Sequence, residues 1–249
     1  MDILNGILGI IPARMASARF PGKPLVMIGD LPMVIRVYRQ VSTVLPHVFI
    51  ATPDREILET ANRYGARSVL TRADHPNGTS RCQEATDIIL KKNSLPCEAV
   101  INIQGDEPLI DPEAIVDLAR EILKPGTDIA TLVRVEKERT EVANPNRVKV
   151  VTDREGFALY FSRSPLPYSR NTDQASEEWL SHVGIYAFGT GILDKLMRLE
   201  PSRLEQTECL EQLRWLENGY RIRCCPTCYE GFGIDTREDL ERLLSSGKL

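Results

Sequence analysis

No apolar run in this chain approaches the ~20 residues that a helix needs to cross a bilayer, so a helical membrane span is not expected. An excess of positive charge is missing as well. Lys and Arg number 31 against 35 Asp and Glu, a net charge of -4, and nucleic acid is not an expected partner. The first residues, Met1-Asp2-Ile3-Leu4-Asn5-Gly6, put no basic stretch ahead of an apolar run, so no signal peptide is expected. There is no internal repeat and no low-complexity tract. Both familiar phosphate fingerprints, G-x-x-x-x-G-K-[ST] and G-x-G-x-x-G, are absent, which weakens mononucleotide ATPase and dinucleotide readings. The six cysteines do not make up a zinc set. Cys225 and Cys228 have C-x-x-C spacing beside Cys224, but Cys82, Cys97 and Cys209 are scattered singly. Reduced, structural thiols in a cytoplasmic protein fit this usage.

What is present is an ordinary globular composition, 42% hydrophobic and 27% charged over 249 residues. That length suits one large domain or two small ones. Buried-strand runs at Ile7–Ile11, Val48–Ala51 and Ala99–Ile103, with further strands at Arg67–Leu70 and Asp128–Val135, alternate with helical periodicity. The helices are expected over Leu31–Val44, about Ile57–Tyr64 with Gly65 as C-cap, about Arg81–Lys91, and Pro112–Leu123. This alternation predicts βαβ units and a mostly parallel sheet flanked by helices. The second half changes character. Val148–Thr152 and Phe157–Phe161 flank Asp153-Arg154-Glu155-Gly156 as a hairpin, and Ser162–Glu178 reads as a long, functional or mobile loop. A strand at Val183–Phe188, helices at Ile192–Leu199 and Thr207–Asn218, a strand at Ile222–Cys225 and a last helix capped by Thr236, with Asp239 at N3, complete the reading.

One stretch organises the rest. Ile7–Ile11 ends at Pro12, which cannot donate to a sheet ladder. Small residues follow, carrying Arg14, Arg19 and Lys23 with no acid inside the loop. A loop of that kind, at the carboxyl end of a first strand, sits where open α/β sheets bind ligands, and it reads as a triphosphate cradle. Gln104-Gly105-Asp106-Glu107-Pro108 leaves another buried strand at the same sheet edge. Asp106 is well placed there for Mg²⁺, a hard cation that takes oxygen ligands and bridges to phosphates. Asp235 stands at a strand-to-helix junction where Thr236 can cap the helix. Two carboxylates and three cations suit phosphoryl-type transfer, in which catalysis is mostly positioning and charge neutralisation.

Seven stretches in order carry a family resemblance. They are Ile11-Pro12-Ala13-Arg14, Phe20-Pro21-Gly22-Lys23-Pro24-Leu25, Gln104-Gly105-Asp106-Glu107-Pro108, Ala158-Leu159-Tyr160-Phe161-Ser162-Arg163, His182-Val183-Gly184-Ile185-Tyr186, Leu210-Glu211-Gln212-Leu213-Arg214 and Asp235-Thr236-Arg237-Glu238-Asp239-Leu240. From about Leu8 to Leu243 the chain resembles the 3-deoxy-manno-octulosonate cytidylyltransferase (CMP-Kdo synthetase) family.

The resemblance implies a Rossmann-like nucleotidyltransferase α/β fold with a smaller hairpin and loop region. It implies a single domain over 1–249, with a nucleotide-binding half at about 1–135 and a sugar-acid-binding and dimerisation half at about 136–249. CTP and Kdo would be the substrates, Mg²⁺ the cofactor, CMP-Kdo and pyrophosphate the products, and a homodimer the assembly, in lipopolysaccharide biosynthesis. Carried over by position, Ala13, Arg14, Arg19 and Lys23 hold the triphosphate, and Asp106 and Asp235 hold metal. Asn77, Gly78 and Arg81 lie in the cytosine-contacting loop, with Gln104 nearby. Arg163, His182, Tyr186, Glu211 and Gln212 match the sugar-acid site.

Arg163 suits a carboxylate, and the other four offer donors and acceptors for hydroxyls. Taken separately, Glu211 and Gln212 read as solvated mid-helix residues and His182 as a satisfied strand histidine. Two positions depart from the family pattern: Pro53, followed by Asp54, and Ser80 both stand where an acid is usual, and both lie near the expected base site. Glu107 is the form associated with Kdo enzymes, whereas relatives using an 8-amino sugar tend to carry Gln there. Another acidic sugar, or a catalytically silent nucleotide-sugar binder, are the competing readings. The pair Asp106 and Asp235 argues against the silent binder, which needs no paired metal ligands.

Overall fold

The computed structural model of the chain describes residues 3–17, 19–170 and 178–247. Its centre is β1 (Ile7–Pro12), whose side chains alternate between two apolar layers. Ile7 and Ile11 join one layer, and Leu8 and Ile10 the other. A strand buried on both faces reads as a continuous apolar run, as this one does. After the short strands β2 (Met27–Ile28) and β3 (Leu31–Pro32) come α1 (Met33–Ser42), β4 (His47–Thr52), α2 (Arg55–Arg63) and β5 (Ser68–Leu70). Next are α3 (Gly78–Lys92), β6 (Ala99–Asn102), α4 (Pro112–Ile122), β7 (Ile129–Glu136) and α5 (Arg139–Ala143). The hairpin strands β8 (Lys149–Thr152) and β9 (Ala158–Ser162) precede β10 (Trp179–Gly189), α6 (Ile192–Met197), α7 (Arg203–Glu208), α8 (Gln212–Glu217), β11 (Ile222–Pro226) and α9 (Arg237–Ser245).

The main sheet runs β11-β7-β10-β6-β1-β4-β5, with β8 and β9 attached beside β10. Pairings among β5, β4, β1 and β6, and between β7 and β11, are parallel; β10 lies antiparallel between β6 and β7. Helices α1, α2 and α4 cover one face, and α3, α6 and α8 the other. Because β1, β4 and β6 are parallel, their carboxyl ends share one edge, and the loops after them meet there.

The hairpin turn forms as expected. Asp153 Oδ1 accepts from Glu155 N and Phe157 N, and Gly156 takes φ 83. Three features differ from the sequence expectation. Helix α3 begins at Gly78, three residues before Arg81, because the Asn77 side chain accepts from Ser80 N and caps it. The helix expected over Thr207–Asn218 is broken into α7 and α8 by Cys209 in the left-handed region, φ 51. Glu211 and Gln212 therefore open α8 instead of lying mid-helix. Strand β10 starts at Trp179, since its pairing with β7 and β8 extends it beyond its most apolar stretch. Of the loop expected over Ser162–Glu178, positions 171–177 lie outside the described residues. All six thiols are free, and burial pushes those of Cys224 and Cys225 up to about 12 and about 11.

The loops at the sheet edge pack backbone to backbone. A β-carbon at Gly105 would stand 3.0 Å from the Pro12 carbonyl oxygen, tighter than most real β-carbon contacts, and the neighbour is backbone. Gly105→Ala should therefore lower stability by about 1–3 kcal/mol, the scale of overpacking. Urea unfolding should show an earlier midpoint at unchanged slope; an unchanged midpoint would mean that the two loops separate without cost.

Candidate active site

Pro12 ends β1, and the chain turns with Ala13 N donating to Ala51 O of β4 at 2.9 Å. The loop is held from outside: Met15 N donates to Asp54 Oδ2 at 2.8 Å. It closes where Gly22, at φ 75, donates its N–H to Met15 O at 3.0 Å. That closure brings Lys23 inward. Lys23 Nζ lies 2.6 Å from Asp106 Oδ2 and 3.2 Å from Asp235 Oδ1. Arg19 Nη2 reaches the same Asp235 oxygen at 3.0 Å from a more exposed position. The loop has no acid of its own because its acids arrive from two other segments.

Ala13, Arg14, Arg19, Lys23, Asn77, Gly78, Arg81, Gln104, Asp106 and Asp235 all line one cavity of about 400 Å³. Arg14 is exposed. Arg81 is nearly inaccessible and already engaged, donating from Nη1 to Thr71 Oγ1 at 2.7 Å and to Arg72 O at 2.9 Å. Burial, then the nearby Arg14 cation, pull its pKa down. Two carboxylate oxygens that share one ammonium can share one small cation. Among the described residues no cluster of three or more His, Cys, Asp or Glu is placed to hold a metal. Such a two-oxygen site suits a hard cation that keeps waters and phosphate oxygens as its other ligands.

Of the residues expected at the sugar, Glu211 meets the cavity lining through Asn77, His182 and Tyr186 pack against each other, and Arg163 is held by other segments. His182 Nε2 lies 2.9 Å from Thr131 Oγ1, and its ring is boxed by Phe161 and Tyr186. Burial depresses its pKa to about 3. The Tyr186 hydroxyl is buried with no partner among the described residues, and burial and nearby Glu211 raise its pKa. Gln212 is buried at the start of α8. Glu211 Oε1 accepts from Asn77 Nδ2 at 2.9 Å and Oε2 from Thr79 Oγ1 at 2.7 Å. Burial raises its pKa, partly opposed by the Thr79 bond.

Arg163 is held apart from these. Its guanidinium donates to Glu208 O at 2.8 Å, Pro145 O at 3.1 Å and Cys209 O at 3.4 Å. Its own carbonyl accepts from the fully buried Lys149 Nζ, which also donates to Asn144 O and Arg147 O.

Several participants were not singled out from sequence. Thr79 and Tyr229 gave no signal of their own. Asp54 did, since it follows β4 at the same sheet edge as Asp106. Ser80 Oγ donates to Asn77 O and lies 3.1 Å from His75 Nδ1, so it supports the helix start. Glu107 does not share the direction of Asp106. Its Oε2 accepts from Tyr229 Oη at 2.6 Å and Phe232 N at 2.8 Å, and burial pushes its pKa up to about 7.

A parallel sheet whose strand ends bring a basic, glycine-closed loop against two carboxylates is the layout of a nucleotidyltransferase. A family model described as cytidylyltransferase matches residues 8–222. The 3-deoxy-manno-octulosonate cytidylyltransferase of Thermodesulfovibrio yellowstonii is 45% identical over 241 residues, 93% of this chain and 94% of that one. Its counterpart from Cytophaga hutchinsonii is 44% identical over 245 residues, 95% and 96% of the two chains. A solved structure of CMP:2-keto-3-deoxy-manno-octonic acid synthetase complexed with CTP superposes at a TM-score of 0.89, with 36% identity over 96% of this chain and 97% of that one. The chain belongs to the 3-deoxy-manno-octulosonate cytidylyltransferase family.

The His182 environment has a pH consequence. In the native state the ring stays neutral down to about pH 3, whereas unfolded it takes a proton near 6.5. The native state then binds fewer protons across that window, so this group's contribution to stability rises with pH from 3 to 6.5. His182→Gln should flatten that part of a stability-versus-pH curve. An unchanged slope would show that the ring is solvated enough to titrate normally.

Proposed function

We propose that this chain transfers the cytidylyl group of CTP to 3-deoxy-D-manno-octulosonate (Kdo). The anomeric hydroxyl oxygen bonds to the α-phosphorus, the bond to the pyrophosphate oxygen breaks, and the hydroxyl proton is lost. The products are CMP-Kdo and pyrophosphate. The observation that carries this reading is the convergence of Lys23 with Asp106 and Asp235 at the mouth of a basic loop. Arg14, Arg19, Lys23 and the amide of Ala13 take the triphosphate. Asn77, Gly78, Arg81 and Gln104 line the cytosine end. Asp106 and Asp235 would hold Mg²⁺, which supplies charge neutralisation to the phosphates when bound. Lys23 is then left to the triphosphate.

His182, Tyr186, Glu211 and Gln212 form the sugar subsite. A neutral imidazole, an unpartnered phenol and a carboxylate are apt partners for hydroxyls. Arg163 is assigned to the sugar carboxylate although its guanidinium is held apart from these four. Its three carbonyl contacts leave one N–H on each Nη for the sugar carboxylate. A homodimer and a cytoplasmic location are also inferred. Leu159 and Tyr168 expose 62% and 88% of their surface in the hairpin half, and the thiols are free.

A coupled pyrophosphate-release assay across CTP, UTP and several sugar acids tests the reaction. Turnover is expected with CTP and Kdo, and Asp106→Asn or Asp235→Asn should lower it by orders of magnitude while metal-free CTP binding persists. Full turnover in either variant would remove that residue from the metal site. No turnover by the native chain with any pair would favour a silent binder.

Arg163→Lys should raise the apparent constant for Kdo about tenfold or more, since a charged hydrogen bond is worth roughly 1.5–3 kcal/mol. The apparent constant for CTP should move little. Because its carbonyl contacts are also lost, the melting temperature should fall. A fall in melting temperature with both constants unchanged would make Arg163 a support of the fold alone.

A further inference from the structure

Asp235 is not placed by the sheet. It lies between β11, which ends at Pro226, and α9, which begins at Arg237. The intervening chain has no helix or strand and must return to the edge where Asp106 waits. It is pinned first by Thr227 N to Val133 O at 2.8 Å and by Arg134 Nη1 to Glu230 O at 2.7 Å. Three further ties converge on the Asp106-Glu107 pair. Tyr229 Oη and Phe232 N both donate to Glu107 Oε2, and Ile234 N donates to Asp106 O at 2.9 Å. The other oxygen, Glu107 Oε1, lies 3.5 Å from where a β-carbon would stand on Gly233 and 3.9 Å from that on Gly231. The loop closes around this carboxylate.

The partners of Glu107 show what it is for. Among the described residues no Lys or Arg forms a salt bridge with it, so neutralising a cation is not its task. Tyr229 is itself buried, in the core layer to which α4 also contributes. Glu107 thus joins a rigid anchor, Tyr229, to the turn that carries Asp106, and Phe232 joins the same carboxylate three residues before Asp235.

We infer, on the metal assignment proposed above, that Glu107 is the positioning residue of the carboxylate pair: through Tyr229 and Phe232 it sets the segment bearing Asp235 at the spacing from Asp106 at which both reach one cation. The role of the second acid in this turn is then geometric, and the choice of sugar is made elsewhere.

The test uses the full chain with CTP and Mn²⁺ as the probe, followed by electron paramagnetic resonance, alongside metal-free CTP titrations and melting temperatures. Glu107→Ala should weaken Mn²⁺ binding about tenfold, the usual scale for losing a group that orients a ligand. Tyr229→Phe should act in the same direction but less. Glu107→Gln, whose amide oxygen still accepts from Tyr229 and Phe232, should recover most of the affinity. Metal-free CTP binding should not change in any of the three. Native Mn²⁺ affinity in both Glu107→Ala and Tyr229→Phe would overturn the role; if the alanine variant does not fold, Tyr229→Phe decides alone. Equal Mn²⁺ binding by the native chain and Asp106→Asn would instead remove the metal assignment, and the positioning role with it.

Discussion

Lys23 holds two carboxylates that come from distant parts of the chain, one mid-sequence and one near its end. Its ammonium lies 2.6 Å from Asp106 and 3.2 Å from Asp235, and its side chain is only 13% exposed. A largely buried cation needs such partners, because desolvation of an unpaired charge is costly. Two carboxylates brought this close need a cation just as much, since like charges a few ångströms apart disfavour joint ionisation. The three groups therefore require one another, and what ties them is the closure of the loop at Gly22. The outlying Arg19–Asp235 pair is more solvated and contributes less.

The same sheet edge couples the two halves of the chain. β10 runs antiparallel between β6 and β7, so the second half is stitched into the middle of the sheet. Its bulge near Gly184 exposes a carbonyl that accepts from Gln104 Nε2 at 2.9 Å. Glu211 closes a second link from α8 to the start of α3, through Asn77 and Thr79. Any ligand that meets Asn77 therefore acts on the residue that holds Glu211. The arrangement gives the two ends of the cleft a short physical connection through hydrogen bonds.

Polar groups in the hairpin half follow a different logic. Lys149 is fully buried, yet it pairs with carbonyl oxygens of Asn144, Arg147 and Arg163. Arg163 repeats the pattern on Pro145, Glu208 and Cys209. The segments they tie have no ladder of their own, so their carbonyls need donors from outside the backbone. Long cationic side chains with several donors satisfy several such groups at once.

Much of this was legible in the order of residues. Apolar runs and helical spacing determined the alternation of strands and helices, because burial on both faces of a parallel sheet demands it. The small, basic loop after Ile7–Ile11 and the acids after Ala99–Ile103 marked the sheet edge, because parallel strands end on one side. Local chemistry also determined the caps at Thr236 and Gly65. The tertiary structure alone decided the rest. Periodicity carries the helix through Cys209, since nothing local announces a left-handed cysteine, and so Glu211, apart from the family resemblance, reads as a solvated mid-helix residue. Charge type marked Arg163 as a carboxylate binder, but which carbonyls surround it depends on chain segments at 145 and 208–209. Glu107 and Asp106 are neighbours of identical charge that face different partners. Only the return of residues 229–235 to the sheet edge separates their tasks, because a side chain's role is set by what long-range packing brings within about 3 Å of it.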